Sequence, residues 1–389
     1  MPLRFSSGRH FLQIPGPTNV PDRVLRAMDL PTIDHRGPDF GKLGRAVLEG
    51  LRPVFGTRGP VAIYPGSGTG AWEGALQNTL SPGDKVLGFE HGVFAGKWAH
   101  VVEQLGLEAE RLPCDWRRGI PIEALEQRLR ADDGSIRALA VVHNETSTAI
   151  TNPIAEVRRV LDHVGHTALL LVDTVSSLGS IECRHDEWGV DVSIAASQKG
   201  LMLPPGLCFH AISEKALAAN AKAKLARSYW DWRPMLDANA TGYFPYTPAT
   251  NMLFGLREAL ALLAEEGLAQ VYARHHRLAE ATRRAVTAWG LELYCLEPEA
   301  RSDTVTAVRV GEDLDAEALR REILESYDLS LGAGLGPLKS EVFRIGHLGS
   351  FNELMLAGTL SGIELGLRTL GRDARGGVTA ALDYLAETP

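Results

Sequence analysis

Two charged side chains occupy positions where the sequence predicts buried structure. Asp173 ends an apolar run, residues 169–172, that is typical of a buried parallel strand. Lys199 stands between the small residues 195–197 and the apolar residues 201–203. The separation of 26 residues (199 − 173) fits two neighbouring strands of one sheet, and ligands of such sheets bind at the carboxyl ends of the strands. A lysine amine and a carboxylate at that edge are the two protein groups that pyridoxal phosphate requires.

Each of these residues also has an ordinary structural explanation. Most lysines are exposed, so Lys199 could be a solvated loop residue. Asp173 is followed by Thr174 and could simply cap the N-terminus of a helix. The small and apolar neighbours of Lys199 favour burial, and a buried amine has the lowered pKa that reaction with an aldehyde requires.

A glycine-rich segment, residues 66–70 (Gly-Ser-Gly-Thr-Gly), follows a predicted strand and opens a predicted helix. Its amides and hydroxyls could hold a phosphate at the helix N-terminus, although a tight turn explains the glycines equally well. A dinucleotide site is disfavoured, because Ala71 stands at the sixth position of the GxGxxG pattern. The full Walker A pattern is absent as well.

Three more residues are candidates for a ligand site, each with a structural alternative. Phe94 lies just past a predicted strand and could stack on a cofactor ring or belong to the core. Thr146 follows another strand and could bond a phenolic oxygen or cap a helix. Arg344 has apolar neighbours on a predicted strand, and its planar fork suits either a substrate α-carboxylate or a buried salt bridge.

Composition narrows the classes of protein. The 389 residues are 45% apolar and 23% charged, with a formal net charge of −8, which is typical of a soluble chain. No basic stretch indicates nucleic acid or an anionic membrane, and no apolar run reaches the ~18–20 residues of a membrane span. The N-terminus has no secretory signal pattern, and the four cysteines form no CxxC pair. We therefore expect a cytoplasmic location, reduced thiols and no metal centre.

The alternation of strand and helix patterns predicts an α/β fold. Strands and helices alternate from residue 61 to residue 211, as in βαβ units around a mainly parallel sheet. Residues 234–248 read as an ordered loop, and residues 251–288 as two helices or one broken helix. The length predicts two domains, with an N-terminal segment 1–20, a large domain 21–285 and a small C-terminal α+β domain 286–389.

Taken together, these motifs resemble the class V aminotransferases, pyridoxal-phosphate enzymes of fold-type I, and within them the serine–glyoxylate and alanine–glyoxylate group. The resemblance extends from Pro15 to about Leu370. It implies a large domain whose mainly parallel seven-stranded sheet lies between helices, with a smaller domain after it. The motifs that carry it are Leu171-Val-Asp173, Ser197-Gln198-Lys199, Pro204-Pro205-Gly206, Gly66-Ser67-Gly68 and Arg344-Ile-Gly346, and, for the bacterial serine–glyoxylate enzymes, Asp34-His35-Arg36, 228–232 and 244–251.

The resemblance implies a role for the residues around the cofactor ring. Lys199 would be the catalytic Schiff-base lysine, and Asp173 would pair with the ring nitrogen. Phe94 would stack on one face of the ring, at a position where many relatives have tryptophan. Val175 would pack on the opposite face, and Thr146 would bond the phenolic oxygen.

It also implies residues that bind the phosphate and the substrate. Arg344 would hold the substrate α-carboxylate. Thr247, with Tyr246 or Phe244, would reach the phosphate of the neighbouring subunit in a homodimer whose active sites lie at the interface. The remaining cofactor contacts would be Ser67, Gly68, Thr69 and Gln198.

The expected reaction is transamination of glyoxylate to glycine, with L-serine as the favoured amino donor. L-Alanine and L-aspartate remain open, and aspartate would need a second cation, for which His35 and Arg36 are candidates. Cysteine desulfurisation is disfavoured, because Gln198 stands where the desulfurases of this fold usually have histidine. Two other classes are the alternatives: a non-catalytic binding protein of the same fold, against which Lys199 and Asp173 argue, and a dinucleotide dehydrogenase, which would bind nicotinamide and show no yellow colour.

Overall fold

The structure is a computed structural model, and it describes residues 8–388. The strands in chain order are β1 Phe11–Gln13, β2 Val61–Gly66, β3 Lys85–Glu90, β4 Glu108–Pro113, β5 Ile136–Val142, β6 Asn144–Glu145, β7 Ile150–Thr151, β8 Leu169–Asp173, β9 Val192–Ala196, β10 Gly206–Ile212, β11 Glu292–Leu293, β12 Val305–Arg309, β13 Leu329–Ala333 and β14 Val342–Gly346. The α-helices are α1 Asp22–Met28, α2 Pro38–Phe55, α3 Gly68–Thr79, α4 Val93–Gln104, α5 Ile122–Arg130, α6 Ile154–Val164, α7 Glu214–Asn220, α8 Trp232–Asn239, α9 Thr250–Glu266, α10 Leu268–Ala288, α11 Ala316–Tyr327, α12 Glu353–Thr369 and α13 Gly377–Glu387.

The large sheet has seven strands in the order β2-β10-β9-β8-β5-β3-β4. Its strands pair in parallel, except that β10 runs antiparallel to both of its neighbours. The predicted mainly parallel seven-stranded sheet is therefore confirmed. Asp173 pairs in register with Val142 on one side and Ile194 on the other, so the strand ends on either side of it meet at one edge.

Helices cover both faces of this sheet, which is why its central strand is apolar throughout. β8 is buried along its whole length, as expected for a parallel strand between two helical layers. On one face, α2 and α9 pack on β2, β9 and β10. On the other face, α3 and α4 pack beside Trp72 and Trp98. A third apolar cluster lies under α5 and α6 on the same face as α2 and α9, because it contains Leu170 and Val172 of β8, whereas Leu169 and Leu171 face α3 and α4. A rigid sheet between two layers holds the loops at its carboxyl edge in place.

The small sheet has five strands in the order β1-β13-β14-β12-β11. It packs against α10, α11, α12 and α13 around a separate apolar core. The N-terminal strand β1 belongs to this sheet and pairs in parallel with β13, so the chain passes through the small sheet before it enters the large one. The predicted boundary at residue 285 falls inside α10, and the exact division into domains stays a prediction.

One segment differs from the sequence prediction. Residues 234–248 were expected to be a loop, but their first part belongs to helix α8. Asp231 caps this helix by accepting a hydrogen bond from the Arg233 backbone N–H, and Pro234 lies in the first turn, where its missing N–H costs nothing. The density of Pro, Gly and Tyr obscured this short helix. No α-helix among the described residues is long and apolar enough to cross a membrane.

We predict that Gly346→Ala destabilises the protein by roughly 1–3 kcal/mol, the range for overpacking a dense interior. A Cβ on Gly346 would lie 2.3 Å from the Ile14 carbonyl oxygen, in backbone that follows β1. Urea unfolding of the two proteins measures the difference. Gly96→Ala is the matched control, because a Cβ there meets nothing within 4 Å and Gly96 lies inside α4. A Gly346→Ala protein as stable as the control contradicts the prediction.

Candidate active site

The loop between β9 and β10 carries Lys199. The Ser197 hydroxyl fixes this loop by donating to the Pro204 carbonyl at 2.7 Å and accepting from the Leu207 N–H at 3.1 Å. The Lys199 Nζ donates a hydrogen bond to the Pro15 carbonyl. Gly16 lies directly against the amine, and a Cβ there would come within 2.5 to 2.8 Å of the lysine side chain. The N-terminal segment therefore covers the lysine from one side.

The surroundings of Lys199 make it a weaker base than a free lysine. Burial and, to a smaller extent, the positive charge of Arg344 together lower the pKa of Lys199 to about 8. The negative charge of Asp173 acts in the opposite direction. At neutral pH an amine with a pKa of about 8 has a larger uncharged fraction than a free lysine, and nucleophilic attack and proton abstraction both require that form.

Asp173 is buried at the end of β8, and two donors fix its carboxylate. The Val175 N–H donates to Oδ1 at 2.7 Å, and the Trp72 indole Nε1–H donates to Oδ2 at 2.9 Å. Burial is the largest influence and raises the pKa of Asp173 to about 7, against the lowering effect of the two donors. Trp72 in turn stacks on Trp98, with ring centroids 5.8 Å apart and planes inclined by 13°.

The glycine-rich segment forms the N-terminus of α3. Ser67 is its N-cap and accepts a hydrogen bond from the Gly70 N–H at 3.3 Å. Ser67 and Thr69 are exposed, while Gly68 is buried. A Cβ on Gly68 would lie 2.8 Å from the Val175 side chain, so the glycine loop and the turn after Asp173 are in contact. A helix N-terminus with free hydroxyls beside it suits an anion.

Phe94 and Thr146 lie on segments that are joined to each other. Phe94 is half-buried in the first turn of α4, with Lys97 Nζ 5.4 Å from its ring centroid. Thr146 is buried in the turn after β6. Glu145, the residue before Thr146, joins the two segments because its carboxylate accepts from the backbone N–H groups of Phe94 and Ala95, at 3.1 and 3.0 Å.

Arg344 is a buried cation that contacts no carboxylate among residues 8–388. It lies on β14, is 6% exposed, and donates to the carbonyls of Ala333 at 2.7 Å and Thr146 at 2.8 Å. Within residues 8–388 it forms no salt bridge with a carboxylate. Burial lowers its pKa to about 10, so it stays charged at neutral pH. A buried guanidinium with spare donors fits an anionic ligand.

The remaining predicted residues lie around this centre. Gln198 is half-buried, and its backbone carbonyl accepts a hydrogen bond from the Thr18 N–H at 3.1 Å. Tyr246 stacks on Tyr229, at 4.9 Å between centroids, and its hydroxyl is buried without a hydrogen-bond partner among the described residues. Thr247 is exposed.

Among the described residues, neither candidate cation of the N-terminal region is joined to this centre by a hydrogen bond or an ion pair. Arg36 is exposed, and its backbone N–H bonds to the Asp34 side chain at 2.9 Å. The His35 Nε2 is buried without a partner in the part of the chain that the structure describes. Neither residue therefore has an assigned acceptor or ligand within one subunit.

Two residues of the site were not predicted. Trp72 donates to Asp173, and Glu145 accepts from the first turn of α4, in both cases across a long stretch of sequence. Nothing in their local sequence patterns indicates these partners. The apolar position of Trp72 on α3 indicates a core residue, which it is. The adjacent glycines were the one available signal, since Gly92 has no room for a Cβ beside Glu145.

These groups fit the chemistry of pyridoxal phosphate. The α3 N-terminus and its hydroxyls suit a phosphate, and an ionised Asp173 keeps lone pairs free for a ring N–H after accepting from its two donors. Lys199 offers an amine of lowered pKa for the aldehyde. The fit between these residues and pyridoxal phosphate rests on hydrogen bonds and charge. Within residues 8–388 no group of three or more His, Cys, Asp or Glu side chains could hold a metal ion.

Comparison with known proteins agrees with this geometry. Residues 10–336 match the family model of class V aminotransferases. The chain is 49% identical to the serine–glyoxylate aminotransferase of Methylorubrum extorquens, over 98% of this chain and 97% of that protein. It is 44% identical to the L-aspartate–glyoxylate aminotransferase of Paracoccus denitrificans, over 96% of each.

Solved structures give the same result. The ureidoglycine–glyoxylate aminotransferase of Bacillus subtilis superposes with a TM-score of 0.90 at 26% identity, covering 98% of this chain and 99% of that one. The relatives and the solved structure match nearly the whole chain, and the family model matches most of it. The chain therefore belongs to the class V aminotransferases, which use pyridoxal phosphate as their cofactor.

Proposed function

We propose that this aminotransferase moves the amino group of L-serine to glyoxylate, which gives hydroxypyruvate and glycine. The observation that carries the proposal is Arg344, a buried cation without a carboxylate partner in the described chain, whose charge acts on the Lys199 amine. Such a cation selects a substrate carboxylate near the reacting amine. The choice of serine is supported by the relatives of this name in Methylorubrum extorquens and Arabidopsis thaliana, at 49% and 44% identity.

The site residues would hold the cofactor from four sides. Ser67, Gly68 and Thr69 at the α3 N-terminus would hold its phosphate, with Gln198 beside them. Phe94 and Val175 would pack on opposite faces of its ring, and Thr146 would bond its phenolic oxygen. When bound, pyridoxal phosphate supplies an aldehyde that takes up the amino group and a ring that withdraws electrons from the substrate α-carbon.

Lys199 would carry the proton during the reaction. With a pKa lowered to about 8, its Nζ can accept the α-proton of the donor once the amine is free of the cofactor. The Pro15 carbonyl, which accepts a hydrogen bond from this Nζ, would hold the freed amine close to the reacting atoms. Gly16 leaves the space that this movement requires.

Asp173 would keep the ring nitrogen protonated. Its two donors, Val175 N–H and Trp72 Nε1–H, orient the carboxylate and favour its ionised form against the effect of burial. A cationic ring N–H provides the opposite charge that a buried carboxylate needs. The aspartate would thus be neutralised by the cofactor that it binds.

L-Aspartate is the second candidate donor, because the Paracoccus denitrificans relative of that specificity is 44% identical to this chain. A dicarboxylic donor would need a further cation beside Arg344. The half-buried His35 and the exposed Arg36 are candidates, and L-alanine remains the smallest alternative.

We also propose a homodimer with active sites at the interface and a cytoplasmic location. The exposed Thr247 supports the dimer, since a neighbouring subunit's phosphate would give its hydroxyl a partner. The domain limits 1–20, 21–285 and 286–389 are retained as part of the same proposal.

Half-reactions with single donors test the choice of serine. The cofactor-loaded protein is mixed with L-serine, L-alanine or L-aspartate without acceptor, and the loss of visible absorbance is followed. We expect serine to react faster than either alternative by roughly 10-fold in kcat/KM, the discrimination that one small side-chain contact provides. Lys199→Ala is the control and should not respond to any donor. Faster bleaching by aspartate would overturn the proposal.

Substitution of Arg344 tests the carboxylate site. In Arg344→Lys the charge remains but the planar fork is lost, so at least one hydrogen bond to the substrate carboxylate disappears. We expect kcat/KM to fall roughly 10-fold to 100-fold, mainly through a higher KM, as for loss of a charged hydrogen bond. Arg309→Lys on the neighbouring strand β12 is the control. An unchanged KM in Arg344→Lys would argue against this role.

The raised pKa of Asp173 predicts a pH-dependent stability in the cofactor-free protein. Its folded pKa of about 7 exceeds the unfolded value of 3.8, so the folded state binds more protons between these values. The free energy of unfolding therefore falls as pH rises through this window, by at most about 1.4 kcal/mol per pH unit. Asp173→Asn lacks this contribution, whereas the exposed Asp383→Asn keeps it. Urea unfolding at several pH values measures both, and parallel curves for wild type and Asp173→Asn would contradict the assignment.

A further inference from the structure

Glu145 is a buried carboxylate for which the proposed reaction has no use. It lies on the two-residue strand β6 and is 0% exposed. Its Oε2 accepts from the backbone N–H groups of Phe94 and Ala95, at 3.1 and 3.0 Å. Its Oε1 accepts from the N–H and the hydroxyl of Ser147, at 3.0 and 2.6 Å. Burial raises the pKa of Glu145, but all four neighbouring groups donate and therefore favour its ionised form.

These four hydrogen bonds join two separate segments of the chain. Helix α4 begins after Gly92, which offers no side-chain cap, so Glu145 supplies an acceptor for its first N–H groups from 50 residues away. The Ser147 hydroxyl adds a bond from the Val93 N–H at 3.0 Å. Gly92 is part of the same fit, because a Cβ there would lie 2.3 Å from the Glu145 side chain.

Both segments carry residues of the site. The Phe94 backbone N–H donates directly to the Glu145 carboxylate, so the carboxylate fixes the backbone position from which the Phe94 ring extends. Thr146 lies between Glu145 and Ser147, both of which take part in the hydrogen bonds, so its backbone has little freedom. The Thr146 carbonyl accepts from Arg344 at 2.8 Å, which extends the connection to the small sheet.

We propose that Glu145 is a positioning residue, which holds Phe94, Thr146 and, through the Thr146 carbonyl, Arg344 in one fixed arrangement around the cofactor. It touches neither cofactor nor substrate. The inference rests on the proposed roles of these three residues, but not on the identity of the amino donor. Its negative charge also acts on Arg344 and Asp173, which links the cap of α4 to the charged groups of the site.

The test substitution is Glu145→Gln, which preserves the shape and removes one acceptor oxygen. Because an amide N–H₂ would face a backbone N–H donor, at least one of the four hydrogen bonds must break. Glu90→Gln is the matched control, an exposed glutamate at the end of β3. The cofactor-free proteins are titrated with pyridoxal phosphate by tryptophan fluorescence, and the circular dichroism of the bound cofactor is recorded.

We expect Glu145→Gln to bind pyridoxal phosphate roughly 10-fold to 100-fold more weakly, with a reduced visible circular dichroism signal, while Glu90→Gln matches wild type. A purely structural role would lower the melting temperature and leave cofactor affinity and dichroism unchanged well below it. That result would overturn the proposal. Failure of the serine half-reaction would leave both measurements intact, so the two proposals can fail separately.

A second variant shows whether Glu145 acts through Phe94. In a Phe94→Leu background, Glu145→Gln should change the dichroism of the bound cofactor much less than in wild type, because the ring that it positions is absent. Equal effects in both backgrounds would exclude Phe94 as the route. Ser147→Ala removes one donor to the carboxylate and the acceptor of the Val93 N–H, and it provides the same comparison if Glu145→Gln does not fold. An unchanged affinity and dichroism in Ser147→Ala would then count against the proposal.

Discussion

Four ionisable side chains lie at the carboxyl edge of the large sheet, and their charges depend on each other. Glu145 and Asp173 are anionic groups, and Lys199 and Arg344 are cationic groups, all largely buried. An isolated charge in such a place would be lost by a change of protonation, since its desolvation costs several kcal/mol. Here Asp173 favours the charged form of Lys199, and Glu145 favours that of Arg344. These paired effects help the site to keep charged side chains in a buried environment.

The N-terminal segment connects this edge to the small sheet. Strand β1 pairs with β13, and the following residue Ile14 packs its backbone against Gly346. The carbonyl of the next residue, Pro15, accepts a hydrogen bond from the Lys199 amine. Arg344 makes a second connection, from β14 to the Thr146 carbonyl. Both connections are made by backbone carbonyls, which have no alternative protonation state. The acceptor in each connection therefore stays the same when Lys199 gains or loses a proton.

Much of the fold could be predicted from local patterns, because those patterns reflect burial. The apolar run before Asp173 marks a strand with both faces covered, and the alternation of elements determines a parallel sheet. The Pro, Gly and aromatic content of residues 234–248 predicts a loop, whereas the Asp231 cap that starts helix α8 is visible only as geometry. Trp72 and Glu145 were not recognised as site residues for a different reason. Their partners lie 101 and 50 residues away, and no local periodicity encodes such a pairing.

The choice of hydrogen-bond partners explains how the site remains available for ligands. Arg344 is oriented by two carbonyls, which fix its direction but leave its charge uncompensated by any carboxylate in contact with it in the described chain. Asp173 is oriented by one amide and one indole, which again carry no formal charge. A carboxylate bound to Arg344, or a lysine bound to Asp173, would satisfy each group internally and would compete with a ligand. Neutral partners instead hold each charged group in position and leave direct contact with an opposite charge to the cofactor or the substrate.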